Sequence, residues 1–257
     1  MHVHELCKRV ADKVEEVTHS EFGDPTAGEV VGMGADGTPT KKIDEIAEQA
    51  ALETVEDYGD VRVVTEEEGE VVYGDPDFTM VLDPIDGTYN SSKGIPIYSV
   101  SIAIAWGDSV QDVEYAYVRE LNSGETYTAE RGEGAYFEDT KIEVTNEETP
   151  ANMTVGGVYN IYDFDPTEFK RIRVLGCSSL EMCYVAAGRL DGFLDMRSLL
   201  RVLDFAAAKL IIEEAGGVVT DGYGHELENV IAPNQRSSVV AANPRAHDNI
   251  LEVVSDE

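Results

Sequence analysis

Asp83 and Asp86 flank Pro84-Ile85 at the end of an apolar run, Phe78-Thr-Met-Val-Leu82. Such a run reads as a strand, so the two carboxylates stand at a strand end. Pro84 fixes the turn and Asp86 projects beside Asp83. Gly87 lets the backbone approach a ligand closely. Gly87-Thr88 can open a helix whose free N–H groups face an anion. Two carboxylates beside backbone donors suit a Mg²⁺ ion bridging to a phosphate. The same residues also suit an Asp-rich turn that only caps a helix.

Three other segments carry the same double meaning. Val63-Val-Thr-Glu-Glu-Glu-Gly69 places carboxylates directly after a short strand. Asp44 and Glu48 are spaced i, i+4 on one helix face, which could hold an ion or simply be wetted. Asp204 stands where a small-residue helix should begin, in Arg201-Val-Leu-Asp-Phe-Ala-Ala-Ala208, and that helix runs to Glu214-Ala-Gly-Gly217. It reads as an N-cap, a ligand, or both. Acidic side chains number 51 in 257 residues, so clusters arise by chance and only context decides.

The elements that must position these groups follow from periodicity. Val3, Leu6, Val10, Val14 and Val17 predict a first helix, and Lys41–Asp57, with Ile43, Ile46, Ala47 and Ala50 inward, a second. Gly32–Thr40 between them reads as a flexible glycine-rich loop. Strands are expected at 61–65, 78–82, 100–106, 113–118 and 126–129. Past Pro150 the pattern alternates: strand 172–175, helix 179–188, strand 192–196, helix 204–215 stopped by Gly216-Gly217, strands 218–220 and 238–242, and a final helix from Pro244. Layered α and β elements result, in two halves, 1–150 and 151–257.

Composition narrows the function. The formal charge of −32 repels nucleic acid and anionic membranes. Its even spread suggests adaptation to high internal salt, which a melting temperature rising with KCl would show. No apolar run approaches the ~20 residues that span a bilayer. The first residues, MHVHELCKRVADKVEEV, lack a signal-peptide core, so a cytoplasmic location is expected. Cys7, Cys177 and Cys183 are odd in number and form no C-x-x-C pair, which argues against a disulfide framework or a zinc site.

Together the pieces are specific. The order Glu-Glu, then Asp-Pro-Ile-Asp-Gly-Thr-x-Asn, then an Asp heading a small-residue helix ending Glu-Ala-Gly-Gly, resembles the inositol monophosphatase superfamily. The resemblance runs from Thr38-Pro-Thr-Lys41 to Ala241-Ala-Asn-Pro244. Gly34–Lys41 and Asp195–Asp204 look most like the archaeal enzymes that hydrolyse both fructose 1,6-bisphosphate and inositol 1-phosphate. The resemblance implies an αβαβα five-layer sandwich, a homodimer, and two or three Mg²⁺ (or Mn²⁺) ions between the halves.

It also implies roles. Glu66 would be a first-metal carboxylate with Glu67 beside it, although the run of three Glu leaves a one-residue ambiguity. Asp83 would bridge metals, Ile85 would ligate through its carbonyl, and Asp86 and Asp204 would hold the second ion. Asp44 would help hold a third ion and orient Thr88, whose hydroxyl positions the attacking water. Gly87 and Thr88 N–H groups, with Asp86, would face the phosphate, and Arg173, Ser178 and Arg197 the rest of the substrate. Leu203 and Ala208 depart from the Trp and Gly common in the family, without removing a ligand.

The chemistry agrees with that set. Carboxylates repel a phosphate dianion directly, but by holding hard cations they can neutralise it and activate water. The expected partner is therefore a small phosphate ester. The first reading is a fructose 1,6-bisphosphate and inositol 1-phosphate phosphatase. A second is a phosphatase acting on 3′-phosphoadenosine 5′-phosphate or NADP, and a third is a non-enzymatic acidic cation-binding protein. For a bisphosphate, fixed cations must meet the second anionic group. Arg173, entering a strand expected to be buried, and Arg197 and Arg201, just before Asp204, are the candidates.

Overall fold

The computed structural model describes residues 3–35, 37–157 and 165–255. Asp36, within the Gly34–Lys41 segment, lies outside the described residues. Val3–Glu21 forms helix α1. Val30–Met33 (β1) and Pro39–Lys41 (β2) pair antiparallel, so the stretch expected as a flexible loop is a short hairpin instead. The Gly34 N–H closes its turn by donating to the Thr38 carbonyl at 2.9 Å. Lys42–Glu56 follows as α2.

Next come Val61–Val64 (β3), Glu70–Tyr73 (β4), Phe78–Asp86 (β5), the short helix Thr88–Ser92 (α3), Ser99–Ala105 (β6), Val113–Glu120 (β7), Thr126–Glu130 (β8), Gly134–Phe137 (β9) and Thr140–Lys141 (β10). Among the described residues these strands form one eight-stranded sheet, ordered β10-β9-β8-β7-β6-β5-β3-β4. Its pairings are antiparallel except that β3 and β5 run parallel.

Thr154–Gly156 (β11), Arg171–Arg173 (β12), Ser178–Ala186 (α4), Gly192–Arg201 (β13), Val202–Glu214 (α5), Val218–Thr220 (β14), Arg236–Ala242 (β15) and Pro244–Ser255 (α6) complete the described chain. The five strands lie in the order β12-β11-β13-β15-β14.

Alternation along the strands assigns the layers. On β5, Met80 and Leu82 pack into a core with Leu6 and Val10 of α1 and Ile43 and Ala47 of α2. Val81, between them, points into the opposite core with Leu180 of α4 and Phe205 and Ile212 of α5. Every residue of β5 is buried, as a strand covered by helices on both faces must be. The second sheet shares α4 and α5 on one face, while Leu194 and Val240 meet Ala246 and Ile250 of α6 on the other. The result is the αβαβα five-layer sandwich. α5 is buried at every position from Val202 to Ile212, which explains why that stretch is apolar all round except for Asp204 and Lys209. Among the described residues no helix is long and apolar enough to cross a membrane.

Candidate active site

Strand β5 does not stop at Asp83. It runs on to Asp86 through a register shift against β6, the irregularity that lets Pro84 sit inside a central strand. Asp83 is fully buried; its Oδ1 accepts the Ile85 N–H at 3.0 Å, while Oδ2 has no hydrogen-bond partner. Burial raises its pKa well above the ordinary carboxylate range. The charge of Glu66 adds to that shift and Arg201 opposes it. Asp86 is buried with Oδ2 accepting the Ser179 N–H at 2.6 Å. Burial and then the charge of Asp204 push its pKa up to about 6.

Gly87 takes φ +92°, and a Cβ there would meet the Ile97 carbonyl at 3.1 Å and Cys177 Cβ at 3.3 Å. Only glycine accepts that backbone without strain. It caps α3, whose first residue, Thr88, donates its hydroxyl to the Ile85 carbonyl at 3.1 Å. Thr88 also lies close enough to Asp44 to favour the ionised form of that carboxylate. Asn90 ties this helix to the second half, donating to the Ile97 and Leu175 carbonyls at 2.8 Å each.

The face of α2 carrying Asp44 and Glu48 is buried rather than wetted. Asp44 accepts a long backbone bond from Lys41, 3.3 Å, and its Oδ1 accepts no hydrogen bond. Burial, then the charge of Glu66, pushes its pKa up to about 7. Glu48 does different work. It accepts the Thr65 hydroxyl at 2.8 Å and the N–H groups of Glu67 and Glu68 at 2.9 and 2.7 Å, fixing the turn after β3.

That turn resolves the Glu run. Glu66 reaches Arg201, Glu67 accepts the Thr40 hydroxyl of the hairpin, and Glu68 is exposed. Glu66 and Glu67 thus turn inward, toward Arg201 and the hairpin, and Glu68 outward. Burial and then the charge of Glu66 push the Glu67 pKa up to about 7.

Asp204 is the third residue of α5, not its N-cap; the cap is Arg201. Asp204 reaches back to accept the Arg201 N–H at 2.8 Å and its Nη2 at 2.8 Å. The same guanidinium touches Glu66 and comes within 3.5 Å of Asp83 Oδ2. Arg201 is therefore central, where sequence placed it behind Arg173 and Arg197 among the candidate cations. Among the described residues no three Asp, Glu, His or Cys side chains are gathered tightly enough to chelate one ion. The guanidinium lies between Glu66, Asp83 and Asp204.

The other substrate candidates stand differently. Arg173 lies on an exposed edge strand, not a buried one, with Nη1 donating to the Ile172 carbonyl at 2.9 Å. Arg197 forms a two-pronged pair with the fully buried Asp195, at 3.0 and 2.5 Å. Ser178 opens α4 and is buried. Sequence reasoning missed Ser179 and Glu181, and it named Glu48 without its role in fixing the turn after β3. Glu181 is buried and accepts the N–H groups of Leu175 and Gly176 at 3.0 Å each, holding the loop that packs on Gly87. The only signal for it was an acid on an otherwise apolar helix.

Asp83 Oδ2 and Asp44 Oδ1 accept no hydrogen bond and lie buried among acids that disfavour one another's charge, which is the chemistry of hard-cation ligands. The residues present fit Mg²⁺.

The chain matches the inositol monophosphatase family over residues 2–257. It is 42% identical over 228 residues to the fructose-1,6-bisphosphatase/inositol-1-monophosphatase of Archaeoglobus fulgidus, covering 87% of each chain. It is 36% identical to the bifunctional NADP phosphatase/NAD kinase of Methanococcus maripaludis, covering 97% of this chain and 48% of that one, so it spans about half that relative's length. It superimposes on a crystal structure of an inositol monophosphatase–fructose 1,6-bisphosphatase with a TM-score of 0.90 at 31% identity, covering 100% of this chain and 99% of that one. An enzyme family displaces the reading of a non-enzymatic cation-binding protein. With the match running from one end of the chain to the other, this protein belongs to the inositol monophosphatase family and is a phosphomonoester hydrolase.

Proposed function

We propose that the protein is a Mg²⁺-dependent phosphatase acting on fructose 1,6-bisphosphate and inositol 1-phosphate. The observation that carries the reading is the meeting of Glu66, Asp83 and Asp204 around one cationic group, beside the Asp44–Thr88 pair. Relatives named for these two substrates, each covering most of this chain, support the choice of ester.

Glu66, Asp83, the Ile85 carbonyl, Asp86 and Asp204 would hold two ions, with Asp44 and Glu67 serving a third. When bound, Mg²⁺ supplies neutralisation of the phosphoryl oxygens and acidification of a water. The chain's own part is positioning. Thr88 keeps its hydroxyl at the junction of Ile85 and Asp44, where it orients a nucleophilic water. Asp44, its pKa pushed up to about 7 while the site is without metal, would give up that proton as an ion binds. Gly87 allows the Gly87 and Thr88 N–H groups to approach the phosphate. Arg173 is the exposed cation for the distal part of the substrate, and Arg197 must first leave Asp195. The family resemblance also implies a homodimer, which sedimentation would test.

A second reading, NADP dephosphorylation, is favoured by the relative named as an NADP phosphatase. Phosphate release should be compared across fructose 1,6-bisphosphate, inositol 1-phosphate, NADP and 3′-phosphoadenosine 5′-phosphate with Mg²⁺ present. Highest kcat/KM on either of the first two supports the main reading. Highest kcat/KM on NADP replaces it with the second.

A further inference from the structure

Arg201 holds its position by backbone and side chain together. It sits in extended conformation at the junction of β13 and α5, φ −78° and ψ 154°. Its N–H is fixed on Asp204 Oδ2 at 2.8 Å, and Nε and Nη2 close on Asp204 Oδ1 at 3.1 and 2.8 Å. Nη1 contacts Glu66, and Nη2 lies 3.5 Å from Asp83 Oδ2. One planar fork thus faces the three carboxylates that come from β5, the turn after β3, and α5. A guanidinium binds carboxylates through oxygen lone pairs, as a hard cation does. The fork and an ion cannot use the same lone pairs at once.

We infer that Arg201 is an internal counter-cation that competes with the metal for Glu66, Asp83 and Asp204, and must withdraw its fork for the site to load. Its side chain retains 15% exposure, so a path outward exists while the backbone stays paired to Asp204. Two consequences follow. The metal-free enzyme keeps its carboxylates together without an ion, because one fixed charge offsets part of their repulsion. Metal affinity is lowered by the fraction of molecules in which the fork has withdrawn. This inference rests on the proposed metal site.

The test is calorimetric titration of Mg²⁺ alone into the wild type and Arg201→Gln. If the fork is withdrawn in about a tenth of molecules, the variant binds Mg²⁺ roughly tenfold more tightly. Its melting temperature without metal falls below that of the wild type, and Mg²⁺ closes the gap. A variant binding equally or more weakly would overturn the inference, since the guanidinium would then be part of the loaded site. If wild type takes up no Mg²⁺, the metal-site reading fails and this one with it. If wild type binds and only the gain is missing, this one alone fails. Should Arg201→Gln not fold, the wild-type Arg201 Nε–H resonance, assigned with Arg201→Lys, gives the same answer. Mg²⁺ should shift it and expose it to solvent exchange, and a resonance unchanged at saturating Mg²⁺ would overturn the inference.

Discussion

Two acidic strand ends meet at the site and are held by different means. At the end of β5, Asp83 and Asp86 are fixed by main-chain N–H groups, those of Ile85 and Ser179, inside a strand buried on both faces. At the junction of β13 and α5, Asp204 is held largely by one long cation, Arg201, which also spans to Glu66 and Asp83. The first arrangement is rigid because moving either carboxylate leaves a buried N–H without its acceptor. The second is adjustable, because a guanidinium can exchange for another cation without moving the backbone. The site thus combines a fixed wall with a replaceable charge.

The wall should be the less forgiving region. Asp83→Asn is expected to lower kcat for phosphate release by about 1,000-fold, on the order of 4 kcal/mol of barrier. A fall of less than tenfold would remove Asp83 from the metal set. Thr88→Ala is expected to lower kcat by roughly 100-fold with KM within about twofold, because the hydroxyl acts on water and not on bound ester. A raised KM at unchanged kcat would contradict that role.

Gly87→Ala tests the backbone beneath both. Its positive φ and the Ile97 carbonyl at 3.1 Å from the added Cβ predict a loss of about 1–3 kcal/mol. Thermal unfolding reads this as a drop of several degrees, and an unchanged melting temperature would mean the wall yields.

The smallest expected effect is on pH dependence. Asp44, Glu67 and Asp86 have folded pKa values raised above their ordinary ones, by burial first and neighbouring acids second. The native metal-free protein therefore binds more protons than the unfolded chain. That stability is present at acid pH and is lost as pH rises from the ordinary carboxylate range, about 4, to about 7. Carboxylates with lowered pKa values, such as Asp12 and Glu70, oppose this only below the ordinary range. The melting temperature without metal should fall between about pH 5 and 7, and saturating Mg²⁺ should remove the fall. A melting temperature that rises through this window would contradict the burial of these acids.

The same contrast explains what sequence made legible. The β5 end was readable because its signal is local: an apolar run, a proline and two acids within the nine residues of the strand, and a glycine directly after it. The helices and most strands followed from periodicity for the same reason. The Glu48 contacts were hidden because i, i+4 acids in so acidic a chain look like a wetted face, and burial is set by α1 packing on α2. The hairpin at Gly32–Thr40 was hidden by its glycines, which serve a turn rather than a mobile loop. Sequence ranked Arg197 above Arg201, because what decides between them is the partner within reach, which sequence does not show. Arg197 meets Asp195 on its own strand, whereas Arg201 meets three acids from three elements.

The most direct test of the account is phosphate release from fructose 1,6-bisphosphate and inositol 1-phosphate by wild-type enzyme. It is measured after dialysis against EDTA and again as Mg²⁺ is restored. Activity on both esters should vanish with the metal and return along one saturable Mg²⁺ curve. Turnover that persists undiminished in EDTA would contradict it.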